Sequence, residues 1–431
     1  MNVFILSFYI LSIVSYFLIL ILPAQNRFLF STLILCAIFF LIYHLVYKNF
    51  RSILTTVRSI PFSYFLILII YVAIGVYGMY LRWIAEPYGM WDAWAIWNLK
   101  AKSIANEFLF GNQVNFANEY WPHKDYPLGL PLVHSSIAIL VGGWSEWISY
   151  GIQIVFFVAI GFVFLLHSHS KKLHYIYLIL PLLILAMNSQ VLTIASDLCA
   201  EMALSCFLII IYYSLIRESE TDLKNDSYSG AVNYGLIFAA PLIVKNEGII
   251  YVGGILFLYS IFYILSGKFT DRTKSMRIKN LLYTLLPTLV LALLLVYWKY
   301  KGNQLIPEDF NQDKAVGKLT WELILGKLSF INIYFSTFQF SMMNGIFFIA
   351  ISLGLFIRKR AFVSVALHLF FILMIYHFLF IISNKDISWH LNTAYIRIHS
   401  SLIAPAIFLG WSSIIMLLTR KKEAKVKRSE T

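Results

Sequence analysis

The chain has 431 residues, of which 60% are hydrophobic and 13% are charged. A soluble domain is roughly half apolar and a quarter charged, so this composition excludes a protein whose main solvent is water. The net charge of +13 would favour a nucleic-acid partner in a soluble protein. In so apolar a chain it indicates basic loops beside a membrane instead, and we expect no nucleic acid.

Apolar stretches recur along the whole chain, and most are long enough to cross about 30 Å of hydrocarbon as a helix. The first stretch has no basic start and no small-residue cleavage site, so we interpret it as a retained helix rather than a signal peptide. The sequence therefore predicts an all-α polytopic membrane protein with about twelve transmembrane helices. The predicted spans are residues 3–22, 28–47, 62–84, 146–167, 173–190, 196–216, 231–244, 249–266, 281–299, 331–357, 361–382 and 400–418.

The loops on one side of these spans are all basic, and they include the 268–279 loop, the 358–360 loop and a tail at 419–431. Under the positive-inside rule these loops and both termini are cytoplasmic. The sequence thus predicts a single transmembrane domain over residues 1–418, placed in the inner or plasma membrane, with its chemistry on the outer face. The predicted outer loops are 85–145, 300–330 and 383–399.

The first outer loop combines an aromatic helix with a proline-rich segment. Residues Trp91 to Phe110 contain several Trp but neither Gly nor Pro, so we expect an interfacial helix that lies along the bilayer surface. Asp92 lies in its first turn, where the helix dipole favours a carboxylate. The segment from Glu119 to Pro131, which we call the strap, contains three prolines and a glycine and is expected to be extended and turn-rich. Its His123 and Asp125 are expected to line a cleft beside Asp92.

A short seventh span indicates charged groups below the outer surface. Residues 231–244 give only about 21 Å of helix, which is less than a full crossing. Lys245 and Glu247 follow directly, so we expect them to be recessed and to face water, a partner or a ligand. Asp197 and Glu201 are spaced to share one helix face, and we favour them as supporting partners of Lys245.

The outer face thus offers one well-placed carboxylate, Asp92, together with the cations Lys100, Lys245 and Arg397. Arg397 begins the last span, where its planar fork of donors suits a phosphate, and His390 is a candidate for contact with an acceptor. A sugar on a polyprenyl phosphate needs no general acid, because the departing phosphate carries its charge unprotonated. It needs cations that hold the phosphate and a base that takes the proton of the attacking hydroxyl.

Five short motifs carry most of these residues. They are W-D-A-W-A-I-W-N-L-K-A-K (91–102), D-Y-P-L-G-L-P (125–131), S-D-L-C-A-E (196–201), K-N-E-G (245–248) and the late Arg397 followed by Pro405. Together they resemble the GT-C superfamily of integral-membrane glycosyltransferases, whose members include protein O-mannosyltransferases and the aminoarabinose transferases that modify lipid A.

The resemblance implies a GT-C-like fold and an inverting, single-displacement transfer of a sugar from a polyprenyl-phosphate donor to a lipid, glycan or protein acceptor. It implies that Asp92 activates the acceptor and that Lys245 and Arg397 bind the donor phosphate. Relative to the family's layout, residues 1–60 are an additional helix pair. Adjacent acidic pairs are common in the family, whereas Ala93 follows Asp92, so the sequence indicates no metal or other cofactor and a divalent metal stays unsupported.

Two other functions stay open. An O-antigen polymerase or ligase shares the many spans but has its main catalytic loop later in the chain, so the role of Asp92 separates it from the transferase. A lipid-linked-sugar flippase or secondary transporter needs charged groups along a path through the membrane centre. The individual residues also have ordinary structural interpretations, namely a helix-start carboxylate for Asp92 and snorkelling or paired cations for Lys245 and Arg397.

Overall fold

The computed structural model of the protein describes residues 2–22, 26–116, 120–220, 228–264, 271–301, 320–335, 337–382 and 387–430, and all regular structure in these ranges is helical. The α-helices are α1 (Asn2–Tyr9), α2 (Ser15–Ile21), α3 (Arg27–Ser59), α4 (Phe62–Ala85), α5 (Asn98–Leu109), α6 (Gly129–Val141), α7 (Glu146–Ser170), α8 (Ile176–Met187), α9 (Ser189–Ser196), α10 (Glu201–Glu220), α11 (Tyr228–Ala239), α12 (Gly248–Ile264), α13 (Asp271–Lys301), α14 (Trp321–Phe335), α15 (Phe338–Phe356), α16 (Arg360–Ile382), α17 (Ile387–His390) and α18 (Ile396–Glu430). The π-helical turns Ile10–Val14, Ala93–Trp97 and Leu391–Tyr395 and the 3₁₀ turn Ala240–Ile243 join consecutive elements.

Six helices of the described residues are long and apolar enough to cross a membrane. A seventh span is formed if the bent pair α8 and α9 is counted as one. The sequence prediction of an all-helical, membrane-embedded protein is therefore confirmed, and the larger number of twelve crossings stays a prediction. The six helices contain Phe4–Ile21, Phe62–Ala85, Glu146–Ser170, Ile278–Tyr300, Arg360–Ile382 and Thr393–Arg420.

The predicted span 173–190 is bent, and the bend has a local cause. The helices α8 and α9 meet at 58° on either side of Asn188. The Asn188 side chain accepts hydrogen bonds from the backbone N–H groups of Gln190 and Val191, both at 3.0 Å. This is an N-cap, so a new helix begins at Ser189 in a new direction instead of continuing the old one.

The strap is extended only in its first part, because Gly129–Val141 forms the buried helix α6. The sequence prediction of an extended segment through Pro131 was wrong here. Pro131 falls in the first helical turn, where a missing N–H group costs no hydrogen bond. Gly129 lies against the 3₁₀ turn before Lys245, and a Cβ atom at this position would come within 2.2 Å of the Ile243 carbonyl oxygen. The start of α6 is thereby held against the break that carries Lys245.

The predicted span 331–357 was also wrong at its start, because α14 and α15 are separate helices in this region. Helix α10 lies at the centre of the fold and packs against α7, α16 and α18. Residues 198–216 of this region are buried throughout. The core therefore places the first residue of α10, Glu201, inside the protein.

Candidate functional site

The site is centred on an ion pair between residues far apart in the chain. Arg397, in the first turn of α18, donates from Nη1 to the Asp92 Oδ2 atom, and the two side chains are 14% and 17% exposed. Asp92 is helical and does not cap the turn that follows it. The ordinary interpretation of Asp92 as a helix-capping carboxylate is therefore not what the structure has.

A buried carboxylate joins this ion pair to a second cation. Glu201 Oε1 lies 2.9 Å from Lys245 Nζ and 4.0 Å from Arg397 Nε. Lys245 also contacts Glu247, with Nζ 2.8 Å from Oε1. These five residues, Asp92, Glu201, Lys245, Glu247 and Arg397, form what we call the charge cluster.

The break between α11 and α12 brings Lys245 into the cluster. Helix α11 ends at Ala239, a 3₁₀ turn follows to Ile243, and α12 starts at Gly248. Lys245 is only 4% exposed, which agrees with the prediction that the short span recesses it. The cost of burying its charge is offset by the two carboxylates that flank it.

Asp197 lies outside the charge cluster, and the expectation that it shares a helix face with Glu201 was wrong. Helix α9 ends before Asp197, and Leu198 adopts a φ of 58°, so the chain turns before α10 begins. Asp197 pairs with Arg82 of α4, with Oδ1 3.4 Å from Nη2. Its backbone oxygen also lies against Gly89, where a Cβ atom would approach it to 2.6 Å. This turn thus fixes the loop that leads to Asp92.

Burial raises the pKa of Asp197 to about 7, although the charge of Arg82 acts in the opposite direction. The Asp197 side chain is 2% exposed, whereas the Arg82 side chain is 42% exposed. A solvated guanidinium 3.4 Å away compensates only part of the cost of removing the carboxylate from water. Burial thus favours the neutral form of the Asp197 carboxyl group, which is the direction in which its pKa moves.

The strap contacts the charge cluster through Asn246, which stands between Lys245 and Glu247. Asn246 Nδ2 donates to Asp125 Oδ2 at 2.6 Å. Asp125 is 1% exposed, and its burial raises its pKa, while Lys299, Asn246, His123 and Lys100 act to lower it. The strap carboxylate thus lies next to the segment that carries Lys245 and Glu247, where it faces an amide rather than open water, and its predicted place in a cleft beside Asp92 stays a prediction.

Lys100 has a different position from the one expected for a phosphate ligand. Its side chain is fully buried, and Nζ donates to the backbone oxygen of His123 at 2.6 Å. Tyr126 stacks on the His123 ring at 5.0 Å and on Trp97 at 5.4 Å between ring centroids. Lys100 and the stacked rings fasten the strap to the predicted interfacial helix, and the prediction that Lys100 reaches toward the donor phosphate was wrong in its geometry.

The predicted interfacial helix is packed against protein on one side. Trp97 is buried against Tyr126 of the strap and Phe108 is buried in α5, which packs against α6, whereas Trp91 and Trp94 are each 51% exposed. A π-helical turn at Ala93–Trp97 precedes α5. One face of this segment, with Trp91 and Trp94, is therefore exposed, whereas the other face, with Trp97, packs against the strap.

A groove of about 490 Å³ runs beside the segment that carries Asp92. Its walls include Tyr88, Trp94, Lys102 and Glu146. Glu146 is held by two donors, Trp144 Nε1 at 2.8 Å from Oε1 and Asn98 Nδ2 at 3.3 Å from Oε2. Aromatic faces and a fixed carboxylate suit a ligand with both apolar C–H faces and hydroxyl groups.

The charges of the wider site balance. Lys299, near the end of α13, is close enough to act on both Asp125 and Glu247. Carboxylates and cations are then present in equal number, and the members are Asp92, Asp125, Glu201 and Glu247 with Lys100, Lys245, Lys299 and Arg397. Both predicted phosphate-binding cations already have carboxylate partners, so an anionic ligand has to exchange with a carboxylate to reach them.

The sequence analysis therefore selected all five members of the charge cluster but not all of their neighbours. It missed Arg82 and Lys299, which belong to none of the five motifs, and Tyr126, which lies inside the motif at 125–131 but was not selected. The side chain of His390 lies outside the described residues. Among the residues that the structure describes, no group of three or more His, Cys, Asp and Glu side chains is arranged to hold a metal ion.

Comparisons of the chain with protein-family models, with curated proteins and with solved structures find no match.

Proposed function

We propose that the protein is a GT-C-like membrane glycosyltransferase, with about twelve spans, that moves a sugar from a polyprenyl-phosphate donor to an acceptor on the extracytoplasmic face. The observation that carries the proposal is the convergence of Asp92 and Arg397, joined through Glu201 to Lys245. These residues come from four separate segments of the chain. A proton acceptor beside two cations is the set that this reaction requires.

The Asp92–Arg397 ion pair suggests how the base becomes available. The donor phosphate competes with Asp92 for the guanidinium, which can bind either anion through its forked donors. When Arg397 turns to the phosphate, Asp92 is released beside the reacting sugar. The unliganded protein thus keeps its base paired, and binding of the donor uncovers it.

The transfer itself is a single displacement. The acceptor hydroxyl oxygen forms a bond with the anomeric carbon while the bond from that carbon to the phosphate oxygen breaks. The electron pair of the broken bond remains on the polyprenyl phosphate, where Arg397 and Lys245 stabilise the added negative charge. The proton of the hydroxyl passes to Asp92, and the configuration at the anomeric carbon inverts.

Unpaired acceptor atoms support a sugar as the ligand. Asp125 Oδ1, Glu201 Oε2 and Glu247 Oε2 are buried, and none has a hydrogen-bond partner among the described residues. Buried carboxylate oxygens are normally satisfied, and the hydroxyl groups of a sugar are donors that can reach them. The groove beside Trp94 offers a place for the acceptor, because it borders the same segment as Asp92.

The proposal is tested in cells that make the protein, cells that lack it, and cells that make only the Asp92→Asn variant. Mass spectrometry of lipid-linked sugars and envelope glycolipids should show the same accumulated donor and the same missing product in the last two. Asp197→Asn is the matched control, because it makes the same substitution at a carboxylate paired with Arg82 outside the charge cluster. If Asp92→Asn cells make the normal glycolipids, Asp92 is not the base.

Interrupted helices favour a lipid-linked-sugar transporter as the second candidate. Helices α8 and α9 form a bent pair, and α11 and α12 are separated by the break at Lys245. Discontinuous helices of this kind hold substrates in many transporters. Purified protein in vesicles separates the two functions, since a transporter moves a lipid-linked sugar between leaflets without changing its covalent structure.

A further inference from the structure

A second pocket lies at the opposite end of α4 from the charge cluster. It has a volume of about 440 Å³, and its walls include Ser59, Tyr64, His169, Lys172 and His174. The turn between α7 and α8 closes one side, where the Tyr64 hydroxyl donates to the backbone oxygen of Leu173. The end of α3 and the start of α4 form the other side, where Ser59 Oγ lies 3.2 Å from His169 Nε2.

The charge around this pocket has one sign. Lys172 and His174 are exposed, His169 is half-buried, and Arg58 and Lys171 flank the lining residues in the chain. Residues 58–64 and 167–177 contain no Asp or Glu. A pocket of this composition attracts an anion, and basic pockets between helices at a membrane surface suit lipid phosphates.

Two helix starts add to the positive potential. Helices α4 and α8 begin at this pocket; the N-cap residue of α4 makes no side-chain hydrogen bond, and at the start of α8 the Ile176 N–H donates to His174 Nδ1 at 3.4 Å. The first backbone N–H groups of a helix carry partial positive charge and favour a phosphate. They supplement the basic side chains here and do not define the site by themselves.

An apolar groove lies farther along the same helix. It has a volume of about 690 Å³ and is lined by α4 residues from Leu68 to Tyr80 and by Val158 of α7. Leu68 follows Tyr64 of the pocket by one helical turn. The stretch from Leu68 to Tyr80 rises about 18 Å, which is close to the half-thickness of about 15 Å that one acyl chain occupies.

We propose that the basic pocket and the apolar groove together bind one anionic phospholipid, with the headgroup phosphate at Lys172 and His169 and an acyl chain along α4. The basic pocket and the apolar groove have different lining residues, and both lie along α4. The positive-inside assignment puts the pocket on the cytoplasmic side, where anionic lipids are common. The lipid would brace α4, the helix that leads to the loop of Asp92, and its binding is independent of any transfer reaction.

The test is lipid retention by purified protein in native mass spectrometry, after exposure to equal amounts of dioleoylphosphatidylglycerol and dioleoylphosphatidylcholine. We expect one phosphatidylglycerol per chain to be retained over phosphatidylcholine. Lys172→Glu should lower its occupancy about ten-fold or more, because the headgroup phosphate loses an attractive charge and meets a repulsive one. Lys359→Glu is the matched control with the same change of net charge, and it should retain the lipid.

A second variant tests the acyl chain. Ala73→Trp fills the groove without changing charge, and it should also reduce retention, whereas Leu289→Trp, on an exposed face of α13, should not. Equal binding of both lipids, or unchanged retention in Lys172→Glu, would overturn the proposal. So would full displacement of the lipid by millimolar inorganic phosphate, which indicates a simple anion site, or by a polyprenyl phosphate, which indicates a different lipid.

Discussion

Glu201 holds two cations at once, and Glu201→Gln removes that charge while preserving shape. The Glu201 side chain is 2% exposed, and its Oε1 atom lies 2.9 Å from Lys245 Nζ and 4.0 Å from Arg397 Nε. At an effective dielectric of about 20, the attraction across the shorter distance is about 6 kcal/mol before the cost of desolvation. Removing one partner of a buried pair typically costs about 3–5 kcal/mol net, and we expect the lower end because Glu247 still contacts Lys245.

The assay is a double-mutant cycle of unfolding in detergent, with Glu201→Gln, Lys245→Met and the double variant. Each single change leaves a buried charge without its main partner, whereas the double change removes both charges. The double variant should therefore lose at least about 1 kcal/mol less than the two single changes together. Lys102→Gln is the control, since it also removes one charge but at an exposed side chain, and the loss should stay below about 1 kcal/mol.

Additive losses in this cycle would refute the charge cluster as a coupled unit. They would mean that Glu201 and Lys245 do not interact in the folded protein. The connection from Lys245 through Glu201 to Arg397 would then have no basis. A double variant that is less stable than the additive value would be equally contrary to this expectation.

Three further predictions concern topology, acceptor binding and pH. A cysteine probe at Asn112 should react with a membrane-impermeant reagent from outside, whereas a probe at Thr273 should not, and the reverse result would contradict the positive-inside assignment. Trp94→Ala should raise the KM for the acceptor while kcat stays near normal, because Trp94 lines the groove but does not touch the charge cluster, and a large fall in kcat would contradict this. Because the pKa of Asp197 is about 7 when folded against 3.8 ordinarily, thermal stability should fall as pH rises from about 4 to about 7. Asp197→Asn should remove this fall, and an unchanged pH profile would refute it.

Local signals in the sequence identified the features that depend on chain length and composition. The apolar runs predicted the long helices Phe62–Ala85, Glu146–Ser170 and Arg360–Ile382 within a few residues. The short run before Lys245 predicted a buried cation, since too few residues remained to cross the membrane. Arg397 was selected because it lies directly before the last long apolar run, where a cation is at the boundary of the membrane.

Features that depend on tertiary packing could not be predicted in this way. Residues 129–131 were predicted as the end of the extended strap, but they form the first turn of α6, which packs against α5 and lies against the turn before Lys245. Lys100 looked like a surface cation until the fold placed His123 over it. The turn at Leu198 separates Asp197 from Glu201, and no glycine or proline in residues 197–201 indicates a turn in the sequence.

The most direct test of the central claim is a paired measurement of turnover and donor binding in the purified Asp92→Asn variant, with a polyprenyl-phosphate sugar in nanodiscs. Loss of the base should reduce turnover about 10²–10⁴-fold. Donor binding should stay the same or become tighter, because Arg397 loses the carboxylate that competes with the phosphate. Near-normal turnover, or donor binding that weakens together with turnover, would contradict the proposed exchange of partners at Arg397.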